Sequence, residues 1–261
     1  MGRIKKKIHK YYEFFLTKMK LLWNQKKFSS DGVVLKYMLK KNDSDCLAVV
    51  FSSCTRKGLK ARYNYVRTMQ AVPCNQLFIL DDFAADHRGG YYIGSDMNFN
   101  EERATIALID KVISECGAQK VIFCGSSKGG WASLNFGLQY PNAYIVCGGP
   151  QYHLGDYLVA SGNELTLQHI VGTVSDEKKE MLNHYLEQKI QKDPYADTQK
   201  IYIHYSNCEH TYEEHIRDLL EELGKTQIAI SQDVQEYRNH SDISLFFPDY
   251  LVKSVRTILE S

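Results

Sequence analysis

A serine between two glycines is the clearest chemical signal in this sequence. Residues 125–129 read Gly-Ser-Ser-Lys-Gly and match Gly-x-Ser-x-Gly, the pattern of a sharp strand-to-helix turn. Such a turn needs residues without side chains two places before and two places after the serine, and Gly125 and Gly129 meet this need. An apolar run over residues 120–124 precedes the turn, and helical spacing follows it. The pattern predicts that Ser127 is a nucleophile.

Attack by Ser127 on an acyl group would require hydrogen-bond donors for the carbonyl oxygen that becomes negative. A helix start presents free N–H groups, so the N–H of Lys128 is the first predicted donor. The second is expected from the loop after residues 46–51, at Ser53 or Cys54. The alternative is a plain glycine-rich turn, with phosphate binding as one version of it, but P-loop spacing is absent here.

A nucleophilic serine also needs a base, and the expected chain order for such a turn is serine, acid, histidine. His240 lies in the loop before the last predicted helix and is the predicted base, although an isolated loop histidine is usually a solvated surface residue. Glu209 is the first carboxylate after a predicted strand at residues 200–205 and is the predicted acid. Asp156 is the reserve candidate for the acid.

The residues around Glu209 also permit a metal-binding interpretation. Their spacing does not form His-Glu-x-x-His, and strand alternation turns His204 away from some of the others. We therefore predict no metal site and no tightly bound cofactor. The residues concerned are His204, Cys208, Glu209, His210 and His215.

The elements that must position these residues alternate along the chain. Short apolar runs separated by helical patterns predict a parallel sheet that is covered on both faces. Together with the turn at Ser127, this predicts an α/β-hydrolase fold in one catalytic domain over residues 31–261, with a helical cap at about residues 151–198. Strands are predicted at 46–51, 76–80, 120–124, 143–147, 200–205 and 227–231, and helices at 101–116, 132–140, 211–223 and 242–259.

Residues 1–30 form a separate basic segment. Residues 1–27 contain nine Lys or Arg and one acid, Glu13, and helical spacing would group their aromatic and aliphatic residues opposite the lysines. Such a helix suits an anionic membrane surface, or it packs on its own domain with a solvated basic face. A signal peptide is rejected because charge interrupts the apolar stretch. A nucleic-acid partner is not predicted, because no recognition motif accompanies the charge.

The seven cysteines and the lack of a long apolar run bear on the location of the protein. An odd number of cysteines, several of them in apolar runs that resemble buried strands, indicates a reduced protein inside the cell. No apolar run reaches the length of a membrane-spanning helix. We predict a cytoplasmic protein that binds peripherally to the inner face of the membrane through its basic segment.

Four longer strings resemble the XcbB/CpsF-type capsular polysaccharide biosynthesis proteins. They are residues 78–82 (Phe-Ile-Leu-Asp-Asp), 89–94 (Gly-Gly-Tyr-Tyr-Ile-Gly), 125–130 (Gly-Ser-Ser-Lys-Gly-Gly) and 149–158 (Gly-Pro-Gln-Tyr-His-Leu-Gly-Asp-Tyr-Leu). The similarity covers about residues 45–260. That group is similar in turn to a hydrolase-like accessory secretion protein that modifies adhesin glycans, and to capsule O-acetyltransferases of Gram-negative pathogens.

The resemblance implies a serine, acid, histidine triad at Ser127, Glu209 and His240, and acyl transfer to a sugar hydroxyl. The predicted reaction transfers acetyl from acetyl-CoA to a capsular or cell-surface polysaccharide through an acetyl-Ser127 intermediate. A carbohydrate acetylesterase, in which water accepts the acetyl group, is the alternative enzyme. A non-catalytic scaffold for polysaccharide or secretion machinery is the alternative outside enzymes.

Substrate contacts are predicted at several further positions. The strand-end acids Asp81 and Asp82 would face the site or cap the next turn, and the aromatic residues Tyr91, Tyr92 and Phe99 would form a sugar-stacking platform or part of the core. Lys128, Arg62 and Arg67 are candidates for CoA phosphates or an anionic polymer, with solvated surface roles as the alternative. The predicted substrate-binding residues are Asp81, Asp82, Arg88, Gln151 and Tyr152.

Overall fold

A computed structural model describes residues 24–261, and these residues build a sheet of eight strands. The spatial order is β1-β2-β4-β3-β5-β6-β7-β8. Strand β2 runs antiparallel to both of its neighbours, and every other pair is parallel. The strands are β1 (Lys26–Ser30), β2 (Val33–Lys40), β3 (Cys46–Phe51), β4 (Asn75–Leu80), β5 (Lys120–Ser126), β6 (Tyr144–Gly148), β7 (Lys200–Ser206) and β8 (Ala229–Gln235).

The six predicted strands are confirmed as β3 to β8, whereas the hairpin of β1 and β2 was not predicted. Asp31 and Gly32 join its strands, with φ of 50° and 73°. Positive φ at both turn residues is the requirement of a tight two-residue hairpin, and Asp-Gly is a preferred sequence for it. The Asp-Gly pair is therefore a local signal for this hairpin.

The helices pack on both faces of the sheet. Four short helices, α3 to α6, lie within the region predicted as a cap. Turns of other helical type occur at Ser95–Met97, Tyr212–Ile216 and His240–Asp242. The α-helices are α1 (Asn100–Cys116), α2 (Lys128–Gly137), α3 (Leu154–Ala160), α4 (Glu164–Val171), α5 (Asp176–Asn183), α6 (Tyr185–Gln191), α7 (Arg217–Leu223) and α8 (Ile243–Glu260).

Strand alternation divides the core between the two faces of the sheet. Val49 and Phe51 of β3 face a cluster that includes α1, α2 and the four short helices. Ala48 and Val50 of the same strand face a second cluster, which α8 covers. Every residue of α2 is buried, so the helix that follows Ser127 is enclosed by the core. This enclosure fixes the position of the turn.

The turn between β5 and α2 depends on close backbone contacts. Ser127 has φ 52° and ψ −121°, a strained conformation that the surrounding packing must hold. A Cβ atom at Gly125 would lie 2.4 Å from the carbonyl oxygen of Gly129. A Cβ atom at Gly130 would lie 2.8 Å from the carbonyl oxygen of Gly148 on β6. Glycine at these places allows the helix to start directly against the sheet.

The α/β-hydrolase fold predicted from the sequence is confirmed. Residues 26–30 of the predicted basic segment form the whole of β1, so they belong to the sheet. The remainder of the proposed amphipathic helix lies outside the described residues. Within residues 24–261, no helix combines the length and apolar character needed to cross a bilayer. The division at residue 30 and the status of residues 151–198 as a cap stay predictions.

The contacts of Gly125 predict a large cost for one added methyl group. We expect Gly125→Ala to lower the free energy of unfolding by about 3 kcal/mol, because its Cβ would overlap backbone that cannot move independently. Gly117→Ala is the control, since its φ is 59° and nothing lies within 4 Å of the added atom. That variant should lose only about 1 kcal/mol. Urea unfolding of both variants measures the difference, and equal losses would contradict the packing argument.

Candidate active site

Three loops bring the predicted triad together at one edge of the sheet. Ser127 follows β5, Glu209 follows β7 and His240 follows β8. These strands are parallel neighbours in the order β5-β6-β7-β8, so their carboxyl ends lie on the same edge. Side chains separated by as many as 113 positions in the chain therefore meet.

The three side chains form a continuous chain of hydrogen-bonding contacts. His240 Nε2 lies 3.0 Å from Ser127 Oγ, and His240 Nδ1 lies 3.2 Å from Glu209 Oε2. Thr211 Oγ1 donates to Glu209 Oε1 at 2.8 Å. Glu209 is buried and His240 is 20% exposed, so the ring separates a buried carboxylate from a more accessible serine. This geometry allows His240 to accept the proton of Ser127 while Glu209 orients the ring.

The reserve acid, Asp156, lies outside this arrangement. Its side chain is exposed, pairs with Lys179 at 3.1 Å and accepts a hydrogen bond from Asn183. The structure therefore brings Glu209, and not Asp156, to the base.

Gln151 contacts the predicted nucleophile, Ser127, directly. The residue is fully buried, and its Nε2 donates to Ser127 Oγ at 3.1 Å. Its Oε1 accepts a hydrogen bond from the Tyr91 hydroxyl at 3.3 Å. Gln151 was predicted to bind substrate, and the structure places its amide against Ser127 Oγ.

The predicted oxyanion donors differ in their availability. Ser53 N–H already donates to Asn64 Oδ1 at 2.9 Å, and Ser53 Oγ donates to the carbonyl oxygen of Ser126 at 2.8 Å. Ser53 therefore ties the loop after β3 to the nucleophile turn. The backbone N–H groups of Lys128 and Cys54 remain the candidates for the oxyanion, because Ser53 has its own partner.

The side chain of Lys128 is enclosed by the protein and forms a buried ion pair. Its Nζ lies 2.8 Å from Asp81 Oδ2, and both side chains are almost completely inaccessible to solvent. Asp81 Oδ1 accepts the N–H of Gly90 at 2.8 Å. The Nζ atom also lies 5.3 Å from the ring centre of Tyr92. The predicted roles of Lys128 with CoA phosphates and of Asp81 with substrate are therefore wrong, because burial removes both groups from solution.

Arg88 orders the loop that carries Cys54. The guanidinium donates to the carbonyl oxygen of Thr55, with Nε at 2.8 Å, and Nη1 donates to Asn163 Oδ1 at 2.7 Å. Nη2 lies 3.1 Å from Cys54 Sγ. Arg88 was predicted to bind substrate, but its donors are engaged by these protein groups.

The remaining predicted substrate contacts are also engaged within the protein. Asp82 pairs with Lys36 of β2, and Tyr152 is buried with its ring edge-to-face on His153. Tyr91 and Tyr92 are buried in the core, so the sugar-stacking interpretation of these two rings is wrong.

The histidines of the metal-binding interpretation have separate partners. His204 Nδ1 lies 2.6 Å from Asp233 Oδ2, and His215 Nδ1 accepts the N–H of His153 at 3.3 Å. Within residues 24–261, no three His, Cys, Asp or Glu side chains are grouped as metal ligands. Burial, with a contribution from neighbouring histidines, lowers the pKa of His215 to about 4. His215 is therefore neutral near pH 7.

Two tyrosines near the turn were not singled out from the sequence. The Tyr65 hydroxyl hydrogen-bonds to Ser126 Oγ, and burial raises the pKa of Tyr65 to about 12. Tyr157 of α3 interacts with the Ser127 side chain, and burial likewise raises its pKa to about 12. Both phenols stay protonated near neutral pH. No local sequence pattern marks these tyrosines, because only the folded chain brings them to Ser126 and Ser127.

The fold and these contacts define an α/β-hydrolase-fold protein with a Ser127, His240 and Glu209 constellation. The capsule O-acetyltransferase of Neisseria meningitidis serogroup A is similar, with a TM-score of 0.75 and 23% identity over 90% of this chain and 94% of that chain. A histidine mutant of that protein in complex with CoA gives a TM-score of 0.74 at 22% identity, covering 88% and 94% of the two chains.

A second similar structure is the Glycosylation Associate Protein (Gap123) complex of Streptococcus agalactiae. It has a TM-score of 0.72 and 18% identity, and the match covers 91% of this chain and 47% of that chain. The similar structures thus include both kinds of relative expected from the sequence resemblance. At these identities the likeness establishes the fold. No protein-family profile and no curated protein sequence matches the chain.

The buried ion pair predicts an asymmetric response to substitution. We expect Lys128→Met to lower the free energy of unfolding by about 3–5 kcal/mol, because it leaves the Asp81 carboxylate buried without its cation. Adding Asp81→Asn keeps an acceptor for the Gly90 N–H and should restore more than half of the loss. Lys111→Met, which breaks the solvent-exposed contact with Glu115, is the control and should change stability little. Urea unfolding of the four proteins tests this, and a double variant less stable than Lys128→Met would contradict it.

Proposed function

We propose that this protein is an O-acetyltransferase that moves an acetyl group from acetyl-CoA to a hydroxyl of a capsular or cell-surface polysaccharide. The observation that carries the proposal is the contact chain from Ser127 Oγ through the His240 ring to Glu209, at 3.0 Å and 3.2 Å. This arrangement supports nucleophilic catalysis by serine.

The first half-reaction forms an acetyl-enzyme. Ser127 Oγ attacks the thioester carbonyl carbon of acetyl-CoA as His240 Nε2 takes the serine proton. The oxyanion receives hydrogen bonds from the Lys128 and Cys54 N–H groups. When the intermediate collapses, the carbon–sulfur bond breaks and His240 returns the proton to the CoA sulfur.

The second half-reaction transfers the acetyl group. A sugar hydroxyl attacks the acetyl-Ser127 carbonyl carbon while His240 accepts its proton, and the carbon–Oγ bond then breaks. His240 donates this proton to Ser127 Oγ, so the free enzyme and an acetylated sugar result. Glu209 stabilises the imidazolium in both halves through its contact with His240 Nδ1.

The choice of donor and acceptor draws on the similar structures. The N. meningitidis protein is a capsule O-acetyltransferase with a CoA complex, and the S. agalactiae complex is associated with glycosylation. Both point towards glycans, and the first supports acetyl-CoA as the donor.

The positions of the two candidate acids predict contrasting variants. We expect Glu209→Gln to lower turnover of p-nitrophenyl acetate, a simple acetyl donor, at least about a hundredfold, because the imidazolium loses its carboxylate partner. Asp156→Asn should stay within twofold of wild type, since Asp156 is exposed and lies outside the contact chain. Initial rates of both purified variants test the assignment, and the reverse order would assign the acid to Asp156.

The proposed acetyl-enzyme predicts a defined mass change. Brief incubation with acetyl-CoA should add one acetyl group to the wild-type protein and release free CoA, whereas Ser127→Ala should do neither. Ser126→Ala is the matched control, because it removes the neighbouring hydroxyl and leaves Ser127 in place. Intact-protein mass spectrometry followed by peptide mapping makes the measurement.

The same measurement separates the alternatives. Candidate capsule oligosaccharides added to the acetyl-enzyme should remove the acetyl group faster than water does and become acetylated. Faster loss to water than to any glycan would favour an esterase. Absence of both adduct and CoA release would overturn acetyl-CoA as the donor, and an additional failure of Ser127 to react with a fluorophosphonate would favour a scaffold.

A further inference from the structure

We propose that the Gln151 carboxamide is a further catalytic residue, whose Nε2 donates a hydrogen bond to Ser127 Oγ throughout the reaction, and that Tyr91 is its positioning residue. The inference deepens the proposed function, because it rests on Ser127 being the acylated atom. The contacts that carry it are Gln151 Nε2 to Ser127 Oγ at 3.1 Å and the Tyr91 hydroxyl to Gln151 Oε1 at 3.3 Å.

The contacts of Gln151 fix which end of its amide faces the serine. The Tyr91 hydroxyl has a proton to donate, and an amide oxygen can only accept. Burial raises the pKa of Tyr91 well above its usual value, so this donor persists at all ordinary pH values. On the other side, Nε2 also lies 3.4 Å from the carbonyl oxygen of Gly149, which accepts its second N–H. A flipped amide would place its oxygen against that carbonyl oxygen, so the NH2 group must face Ser127 Oγ.

Tyr91 is held rigidly enough to act as a support. The residue has φ 57° and is buried, and its ring packs edge-to-face on Trp131 with centroids 5.4 Å apart. Trp131 belongs to α2, the helix that begins directly after Ser127. The tyrosine that supports the amide therefore packs on the helix that follows Ser127, which links the support of the amide to the turn.

The loop after β6 serves the base as well as the serine. Gly149 has φ 46°, and a Cβ atom there would lie 3.2 Å from His240 Cε1. The Gly149 N–H donates to the carbonyl oxygen of His204 at 2.8 Å, which anchors the loop on β7. One short loop thus bounds the His240 ring at Gly149 and supplies the amide at Gln151.

The chemical role follows from the electron pairs of Ser127 Oγ. In the free enzyme the hydroxyl proton points to His240 Nε2, and the Gln151 N–H binds a lone pair on the same oxygen. As the proton leaves, negative charge grows on Oγ and the hydrogen bond from Gln151 strengthens. In the second half-reaction the carbon–Oγ bond breaks, its electron pair goes to Oγ, and His240 returns the proton. Gln151 therefore stabilises Oγ as a leaving group.

This role is distinct from those of His240 and the oxyanion donors. His240 moves protons, and the Lys128 and Cys54 N–H groups would bind the carbonyl oxygen. Gln151 binds the bridging oxygen, cannot titrate, and would act in both half-reactions. Removing it should lower the maximum rate with little effect on substrate affinity, because the contact strengthens as charge develops.

The test uses steady-state hydrolysis of p-nitrophenyl acetate by the full-length protein. Each rate is divided by the concentration of active sites, which is determined by complete fluorophosphonate labelling. Gln151→Met removes the donor at similar volume and should lower kcat about ten- to a hundredfold, the range for a hydrogen bond to a charged atom. The value of KM should stay within threefold. Tyr91→Phe keeps the ring and should lower kcat about two- to tenfold, the range for one neutral hydrogen bond.

Two controls separate catalysis from stability. Gln199→Met removes another buried amide, whose Nε2 donates to the carbonyl oxygen of Tyr140 at 3.0 Å, and Tyr205→Phe removes the hydroxyl that donates to Gln232. Both should keep kcat within twofold whatever happens to the thermal midpoint. The double variant Gln151→Met with Tyr91→Phe should be no slower than Gln151→Met alone, because Tyr91 acts through the amide.

The outcomes are decisive. Wild-type kcat in Gln151→Met, or a lower midpoint with an unchanged rate per active site, would overturn the proposal. Additive losses in the double variant would overturn the positioning role of Tyr91. If Gln151→Met does not fold, an unchanged kcat in Tyr91→Phe overturns the proposal. If the protein turns over p-nitrophenyl acetate but is not acetylated by acetyl-CoA, acetyl-CoA is refuted as the donor and the test of Gln151 stays valid. If Ser127 reacts with neither esters nor fluorophosphonates, the proposed function and the role of Gln151 are both refuted.

Discussion

The ion pair between Lys128 and Asp81 joins the parts of the structure on which the site depends. Lys128 is the first residue of α2, and Asp81 follows β4, so the pair connects the nucleophile turn to a strand two places away in the sheet. Asp81 also accepts the N–H of Gly90, which precedes Tyr91. The N–H of Asp81 donates to Ser52 Oγ, at the start of the loop that carries Cys54. A charge pair without solvent tolerates little displacement, because either partner alone would be buried without compensation.

Three protonated phenols lie around the turn at Ser126 and Ser127, and His240 contacts Ser127 Oγ. Tyr65, Tyr91 and Tyr157 all have raised pKa values because they are buried, so none of these phenols can accept the serine proton near neutral pH. The lowered pKa of His215 keeps a second positive charge away from His240. This distribution favours one direction of proton transfer, from Ser127 to His240, with the developing charge met by hydrogen bonds.

The strand-to-helix turn at Ser127 was predictable because its cause is local. Glycines at 125 and 129 are demanded by backbone contacts within a few residues, so the pattern and its cause lie in the same short segment. The predictions for Lys128 and Asp81 failed for the opposite reason. A lysine beside a nucleophile and an acid at a strand end suggest contact with ligand, and only packing shows that each neutralises the other. The hairpin at Asp31 and Gly32 has a local signal of the same kind, because both turn residues need positive φ.

The sequence by itself determined the order of the six parallel strands along the chain, the turn that carries Ser127, and the expectation that an acid and a histidine follow it in that order. These features depend on periodicity, on glycine placement and on chain order, which a single sequence displays. Tertiary structure alone decided that Glu209 and not Asp156 contacts His240, that the Lys128 side chain is buried, and that Gln151 lies against Ser127 Oγ. Those contacts join residues from different strands and loops. A hydrogen bond depends on the distance between two atoms, and that distance cannot be read from the order of residues in the chain.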